Sequence, residues 1–135
     1  MQNDWKKFIS WEATAWDTVD LKLTYIDMVG GDFHAAVLLA QLVYWHLPGR
    51  KGETKLRVQR DGHFWLVKSA TEIWEETRLT RRQSDKAIAK LKGLGLIIVE
   101  VHKWAAKGKT PVPTRHIAID GKKFMALWAK ASTSK

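Results

Sequence analysis

The chain has 135 residues, of which 45% are hydrophobic and 27% charged, and it contains no cysteine. A chain of this size and composition folds as one globular domain with a buried core. The lack of cysteine excludes disulfides, thiolate metal sites and thiol nucleophiles, and it favours an intracellular protein. The first ten residues are too polar for a secretory signal, and the longest apolar run, residues 35–45, is too short to span a bilayer. We expect a cytoplasmic protein that makes no membrane contact.

The net charge of +9 is distributed unevenly along the chain. Residues 1–47 hold three Lys/Arg against six Asp/Glu, residues 48–116 hold sixteen against seven, and residues 117–135 hold four against one. A basic excess in the central and C-terminal parts is typical of a surface that binds phosphates. Charge alone fits a merely soluble basic protein equally well, so the interpretation depends on the elements that carry it.

The N-terminal segment, residues 1–31, is predicted to be an extension of the main fold. An amphipathic helix is expected over residues 5–16, where apolar side chains recur at helical spacing. The following residues are ambiguous, and we expect a short strand around Leu21–Tyr25 before a turn at Gly30-Gly31. The apolar positions of the helix are Trp5, Phe8, Ile9, Ala13 and Trp16.

Residues 33–46 predict a helix at the centre of the core, because they are apolar almost all round. Asp32 is its expected N-cap, and Pro48-Gly49 follows its end. Two runs, 54–59 and 64–68, then flank an Asp-Gly pair, which predicts a β-hairpin.

Two capping boxes follow. Ser69 with Glu72 begins a helix that extends to about Thr77 and is expected to bury Ile73 and Trp74. Thr80 with Gln83 begins a second helix that Gly93 or Gly95 ends. Two capped helices separated by a short turn, the second rich in Arg and Lys, predict a helix-turn-helix. The buried face of the second helix is expected to hold Ser84, Ala87, Ile88 and Leu91.

Two β-branched runs, 96–104 and 114–119, are separated by a tip of Lys, Gly and Pro, which predicts a basic wing. A last helix begins at Asp120-Gly121 and places Phe124, Leu127, Trp128 and Ala131 on one face. The predicted fold class is α+β: a winged helix-turn-helix with an extra N-terminal helix and hairpin and a C-terminal helix. We expect a single domain over residues 1–135, with the winged-helix core at 33–119 and the C-terminal helix at 120–131.

The second helix of the pair is the expected DNA-reading element, because one helix fits the major groove of B-form DNA. Its first turn is predicted to read bases through Arg81, Arg82 and Gln83, since Arg suits guanine and Gln suits adenine. Phosphate contacts are expected further along the helix and at the helix N-termini, from Lys86, Lys90, Ser69 and Thr80. The wing is expected to contact the backbone or the minor groove through Lys103, Lys107, Lys109 and Thr110. A solvated surface is the alternative for each cation taken singly.

No pattern predicts catalysis, a cofactor or a metal. The five histidines lack ligand spacing, although His102 and His116 can face each other across the wing hairpin. The adjacent Glu75 and Glu76 diverge around their helix and indicate a solvated face. The eight tryptophans could stack unpaired bases, but the fold places Trp45, Trp65 and Trp74 in its core.

The chain resembles the N-terminal winged-helix domain of plasmid and phage replication initiators of the replisome-organiser type. The resemblance covers about residues 33–119 and is carried by Tyr44-Trp45, by Asp61-Gly62-x-x-Trp65 before Lys68-Ser69, and by the Leu-Lys-Gly-Leu-Gly-Leu-Ile run that begins at Leu91. It implies duplex DNA binding in replication or transcription control of a mobile element, with a replication or mobile-element protein as a further partner. Initiators of this class carry an additional C-terminal region, so the resemblance implies DNA binding more than replication, in a fragment or a stand-alone regulator.

The expected function is sequence-specific binding of double-stranded DNA by a homodimer. The apolar stripes at the two ends of the chain are expected to form the dimer interface, because each is one face of a helix that needs a partner. Packing of both stripes onto their own domain is the alternative for the interface. For the function, one alternative is an RNA or single-strand binder, and the other is a protein-interaction domain that does not bind DNA.

Overall fold

A computed structural model of the protein describes residues 2–133. Over these residues the chain is α+β, with six helices and two antiparallel hairpins. None of the helices in this range has the length and apolarity needed to cross a membrane. The elements are α1 (Gln2–Thr14), α2 (Leu23–Met28), α3 (Phe33–His46), β1 (Val58–Arg60), β2 (His63–Trp65), α4 (Ala70–Thr77), α5 (Arg81–Gly93), β3 (Ile97–Trp104), β4 (Val112–Ile119) and α6 (Gly121–Thr133).

Helix α3 lies at the centre of the core, as its apolar sequence predicts. The Asp32 carboxylate caps it by accepting a hydrogen bond of 3.1 Å from the Ala35 amide. The helix packs against α2, α4, α5 and β4, so most of its circumference is covered. Its buried side chains are Ala35, Ala36, Leu38, Leu39, Ala40 and Leu42.

The prediction of a strand around Leu21–Tyr25 is wrong, because this stretch leads into helix α2. Leu23, at the middle of the apparent alternation, is 74% exposed, whereas Tyr25 and Ile26 pack against the core. The buried residue pattern therefore follows the helical period and not the strand period. Gly30 and Gly31 then turn the chain into α3 at φ angles of 68° and 90°, which side chains rarely tolerate.

The two hairpins join into one surface. The first hairpin pairs Val58 with Trp65 and turns at Asp61-Gly62, where both φ angles are positive, as the Asp-Gly pair predicts. The second pairs Ile97 with Ile119 at its base. Between them, the Leu66 and Ile117 backbones exchange two hydrogen bonds, of 2.8 and 2.9 Å.

Helix α4 begins at the predicted capping box and buries Ile73, but the expected burial of Trp74 is wrong. Consecutive helical side chains point about 100° apart, and Ile73 occupies the position that faces the core. Trp74 is 44% exposed, and the Arg78 guanidinium lies 5.3 Å from the centre of its ring. Of the other two tryptophans assigned to the core, Trp65 is buried and Trp45 is half-buried.

The two ends of the chain behave differently. Helix α6 packs against α2, and Phe124, Leu127 and Ala131 lie against the core. Most of the C-terminal stripe is thus used within its own domain and does not form a free dimer interface. Helix α1 ends at Thr14, so Trp16 lies beyond it, and every side chain from Asp4 to Thr14 is exposed.

Candidate nucleic-acid interface

Helix α5 is fixed in orientation by its cap and its buried face. The Thr80 hydroxyl accepts a hydrogen bond of 3.2 Å from the Gln83 amide, and the Gln83 side-chain oxygen accepts one of 3.0 Å from the Thr80 amide. The four residues predicted to face inward are all buried, and the Ser84 hydroxyl donates to the Arg81 carbonyl. Packing therefore decides which side chains of α5 face the solvent.

The solvent side of α5 is strongly basic. Its single carboxylate, Asp85, accepts a hydrogen bond of 3.1 Å from Arg115 of β4, which offsets its charge and ties the helix to the second hairpin. Arg82, Lys86 and Lys90 follow one another at intervals of four residues, so a ligand that approaches this side meets a row of positive charges. The exposed cations of α5 are Arg81, Arg82, Lys86, Lys90 and Lys92.

Gln83 has two competing demands on its side chain. Its amide oxygen is held in the cap, and the residue is only half-exposed. A bidentate contact to adenine needs the oxygen and the nitrogen of the amide together. The cap uses one lone pair of the oxygen and leaves the second lone pair and the amide nitrogen free, so Gln83 positions the first turn of α5 and remains a predicted base reader.

The N-terminus of α4 and the tip of the second hairpin border an open cavity of about 180 Å³. This cavity brings together three predicted contact residues, Ser69, Lys109 and Thr110, and it also holds the carboxylate side chain of Glu72. The Ser69 hydroxyl already accepts a hydrogen bond of 3.1 Å from the Glu72 amide. Ser69 is therefore fixed by its cap, and Lys109 supplies the positive charge at this point.

The remaining predicted wing residues lie exposed along the second hairpin. Gly108, at a φ angle of 81°, makes the tight turn, and the Lys109 amide donates a hydrogen bond of 2.9 Å to the Ala106 carbonyl. The turn presents Lys107 and Lys109 to solvent. Lys103 is also exposed, and its carbonyl accepts a hydrogen bond from the guanidinium of Arg60.

Arg60 joins the first hairpin to the second, a role that no local sequence pattern indicates. Its Nε donates a hydrogen bond of 3.0 Å to Nε2 of His116, which is fully buried. The other ring nitrogen of His116 donates to the Thr114 carbonyl at 2.9 Å. Burial lowers the pKa of His116 and outweighs the opposite effect of the hydrogen bond to Thr114, while the nearby charge of Arg60 lowers this pKa further. The lowered pKa favours the neutral ring, which can accept from Arg60.

The two histidines expected to face each other across the second hairpin lie near each other without being direct partners. Glu100 pairs with His116 and His102 with Thr114, and the two imidazole rings are 5.0 Å apart. Nε2 of His102 lies 2.7 Å from the Glu100 carboxylate. Among residues 2–133, no group of three or more His, Cys, Asp or Glu side chains could hold a metal ion.

Glu76, which the sequence pattern assigns to a solvated face together with Glu75, is instead half-buried at the centre of a polar cluster. The Glu76 carboxylate accepts hydrogen bonds from Gln41 at 2.8 Å and from the Trp45 indole at 2.7 Å. Its other oxygen lies 2.9 Å from the Lys68 ammonium, which in turn lies 3.9 Å from the centre of the Trp45 ring. Burial alone would raise the pKa of Glu76, but the hydrogen bonds from Lys68, Trp45 and Gln41 together lower that pKa.

Comparisons of this chain with protein-family models, with curated proteins and with solved structures give no match. The functional interpretation depends on the residues and the geometry alone.

Proposed function

We propose that the chain is a winged helix-turn-helix protein that binds double-stranded DNA in a sequence-specific way. In this proposal α5 enters the major groove and the β3–β4 hairpin is the wing that contacts the adjacent backbone. The observation that carries the proposal is the solvent side of α5, where exposed cations lie on a helix held by a capping box and by buried packing. Rigid placement of this kind is what base readout requires.

The order of the elements supports the winged-helix assignment. Helix α3 is followed by strand β2, then by the helix pair α4 and α5, and then by the β3–β4 hairpin. The Leu66–Ile117 pairing places the chain after β2 beside β4, as in a three-stranded wing sheet. The turn between α4 and α5 spans Arg78–Thr80, with Arg78 in the left-handed conformation and Leu79 buried.

Within this interface the side chains divide by role. Arg81 and Arg82, in the first turn of α5, read base edges, because an arginine fork matches guanine. Gln83 positions that turn through the cap. Lys86 and Lys90 contact phosphates along the helix, and the wing does so through Lys103, Lys107, Lys109 and Thr110. Ser69 and Thr80 offer helix N-termini to the backbone.

The biological setting that the sequence resemblance implies is replication or transcription control of a plasmid, phage or other mobile element. A short recognition helix reads few base pairs, so we propose that a homodimer binds two half-sites. A replication or mobile-element protein remains the proposed further partner.

The proposal is tested by comparing Arg82→Ala with Lys90→Ala on a duplex selected from a random library and on a scrambled duplex. Loss of a bidentate base contact costs about 1 to 3 kcal/mol on the selected site and little on the scrambled one. Lys90→Ala should weaken binding to the two duplexes nearly alike, and it serves as the matched cationic control.

Three results would contradict the proposal. The first is an equal loss of binding affinity by Arg82→Ala on both duplexes, which would show that α5 is not the recognition helix. The second is tighter binding of the wild type to single strands of the same sequence, which would favour an unpaired nucleic acid as the ligand. The third is the absence of any salt-sensitive DNA affinity, which would favour a protein-interaction domain.

A further inference from the structure

Helix α1 has an apolar side that its own chain leaves uncovered in the described structure. Trp5, Phe8, Ile9 and Trp11 are between 44% and 62% exposed. The rings of Trp5 and Phe8 stack with centres 5.2 Å apart, and those of Phe8 and Trp11 are 5.9 Å apart. An isolated helix of this length is marginal in water, so α1 needs a surface to pack on.

The charges on α1 restrict what that surface can be. At 100° per residue, Asp4 falls between Trp11 and Phe8 around the helix, and Glu12 falls between Phe8 and Trp5. The covering surface must therefore be apolar and must carry a cation. Pairing of α1 with a second α1 brings Asp4 and Glu12 of both copies together, which like-charge repulsion opposes.

Helix α6 offers a surface of this kind. Its inner face packs on the core, while Trp128, at the edge of that face, is 42% exposed and Met125, further round the helix, is 53% exposed. Lys122 lies one turn before Met125 on the same exposed face. Both carboxylates of α1, Asp4 and Glu12, fall within its apolar side and its two lysines fall outside it, so this side of α1 is complementary to the cation on α6.

We propose that the apolar side of α1 packs on the exposed face of α6 of a second copy of this chain, and that the second copy returns the same contact. Helix α2 packs against α6, and the segment that leads from α2 back to α1 passes the ends of α3 and α4, where residues 16–20 line a pocket with Tyr44 and Arg78. Two copies related by a two-fold axis near α6 bring each α1 within reach of its partner. Trp5, Phe8 and Trp128 are the anchors of the interface, and Glu12 of one copy lies near Lys122 of the partner copy. The contact is independent of whether the chain binds DNA.

Disulfide trapping tests this pairing directly, because the chain contains no cysteine of its own. Single variants Glu12→Cys and Lys122→Cys are mixed and oxidised without DNA, and the expected main product is the mixed covalent dimer. Lys6→Cys lies on the opposite side of α1 and is the matched control. Its mixture with Lys122→Cys should give several-fold less covalent dimer.

Sedimentation equilibrium supplies a second measurement that needs no engineered cysteine. The wild type should be a dimer at tens of micromolar, and Phe8→Ala should raise the dissociation constant about tenfold or more. Ser10→Ala, on the polar side of α1, should leave the constant unchanged.

Three results would overturn the proposal. A wild type that stays monomeric at these concentrations would show that the proposed interface does not form. Faster disulfide formation by Glu12→Cys with itself than with Lys122→Cys indicates α1–α1 pairing instead. A monomeric double variant that closes the bond within one chain indicates that α1 packs on its own α6.

Discussion

His46 joins the end of α3 to the end of β4 through both nitrogens of its ring. Nδ1 donates a hydrogen bond of 2.7 Å to the Leu42 carbonyl, and Nε2 accepts one of 3.2 Å from the Ile119 amide. Protonation of Nε2 would break the second bond. Burial lowers the pKa of His46 below its ordinary value of 6.5, and the hydrogen bond to Leu42 opposes that shift only in part.

The free energy of unfolding should consequently fall as the pH drops below about 6.5. Above this pH neither state holds the proton on His46. Below it the unfolded chain binds the proton first, because the folded pKa is the lower one. The loss is about 1.4 kcal/mol for each unit of pKa difference, and His116 adds to it in the same direction.

Urea unfolding of the wild type and of His46→Gln between pH 5 and pH 8 measures this dependence. The variant should be less stable at pH 8 and should lose part of the slope. His34→Gln replaces an exposed histidine and is the control. A slope that is identical in the wild type and in His46→Gln would show that His46 does not contribute.

Glu76 should stabilise the fold because it satisfies three donors in a partly buried cluster. Glu76→Gln places an amide against the Lys68 ammonium and weakens two further hydrogen bonds, at a cost of about 1 to 3 kcal/mol. The neighbouring exposed residue supplies the control, since Glu75→Gln should change the stability little. Equal thermal stability of the two variants would contradict the structural role of Glu76.

The caps were predictable from the sequence because each is a local interaction. Asp32, Ser69 and Thr80 each bond to a backbone amide three residues further on, and the residue types at those positions indicate the bond. The side-chain bonds of Arg60 and Glu76 join residues that are distant in the chain, so no local pattern indicates them. Trp74 was misplaced for a related reason: the amphipathic pattern alone does not decide which of two adjacent apolar residues faces the core.

At the scale of elements, the proposed role of the β3–β4 hairpin in DNA binding can be tested at its tip. Replacing Lys107 and Lys109 with Ala should leave the fold intact, because both side chains are exposed at the tip. Each lost phosphate contact should reduce the magnitude of the slope of log affinity against log salt by about 0.9. Lys6→Ala/Lys7→Ala, on α1, is the control with the same change in charge. An unchanged slope in the folded wing variant would show that this hairpin does not contact the DNA phosphates.

Element type was predicted well where a side-chain cap and a terminating turn agreed with the residue pattern, which is apolar throughout in α3 and apolar at helical spacing in α5. Helix α2 was missed because it is short and lacks a side-chain cap, which left only an ambiguous spacing of leucines. Its helical form depends on packing against α3 and α6, and a single sequence does not display that packing.

At the scale of the whole molecule, α1 should be dispensable for folding of the remainder. All its side chains from Asp4 to Thr14 are exposed, so deletion of residues 1–15 removes little of the buried area that the described residues contribute. The truncated chain should unfold at nearly the temperature of the dilute wild type, and its transition should not depend on protein concentration. A large fall in melting temperature at low concentration would show that α1 packs on its own domain.

The exchange of hydrogen bonds between Leu66 and Ile117 also has a kinetic consequence. Each hairpin closes a short loop and can form early, whereas this contact closes a long one and carries a larger entropic cost. Both residues are buried, so their amides reach solvent only when the sheet separates. Native-state hydrogen exchange at these two amides should report the free energy of global unfolding, while amides near the turn at Asp61-Gly62 exchange through local fraying.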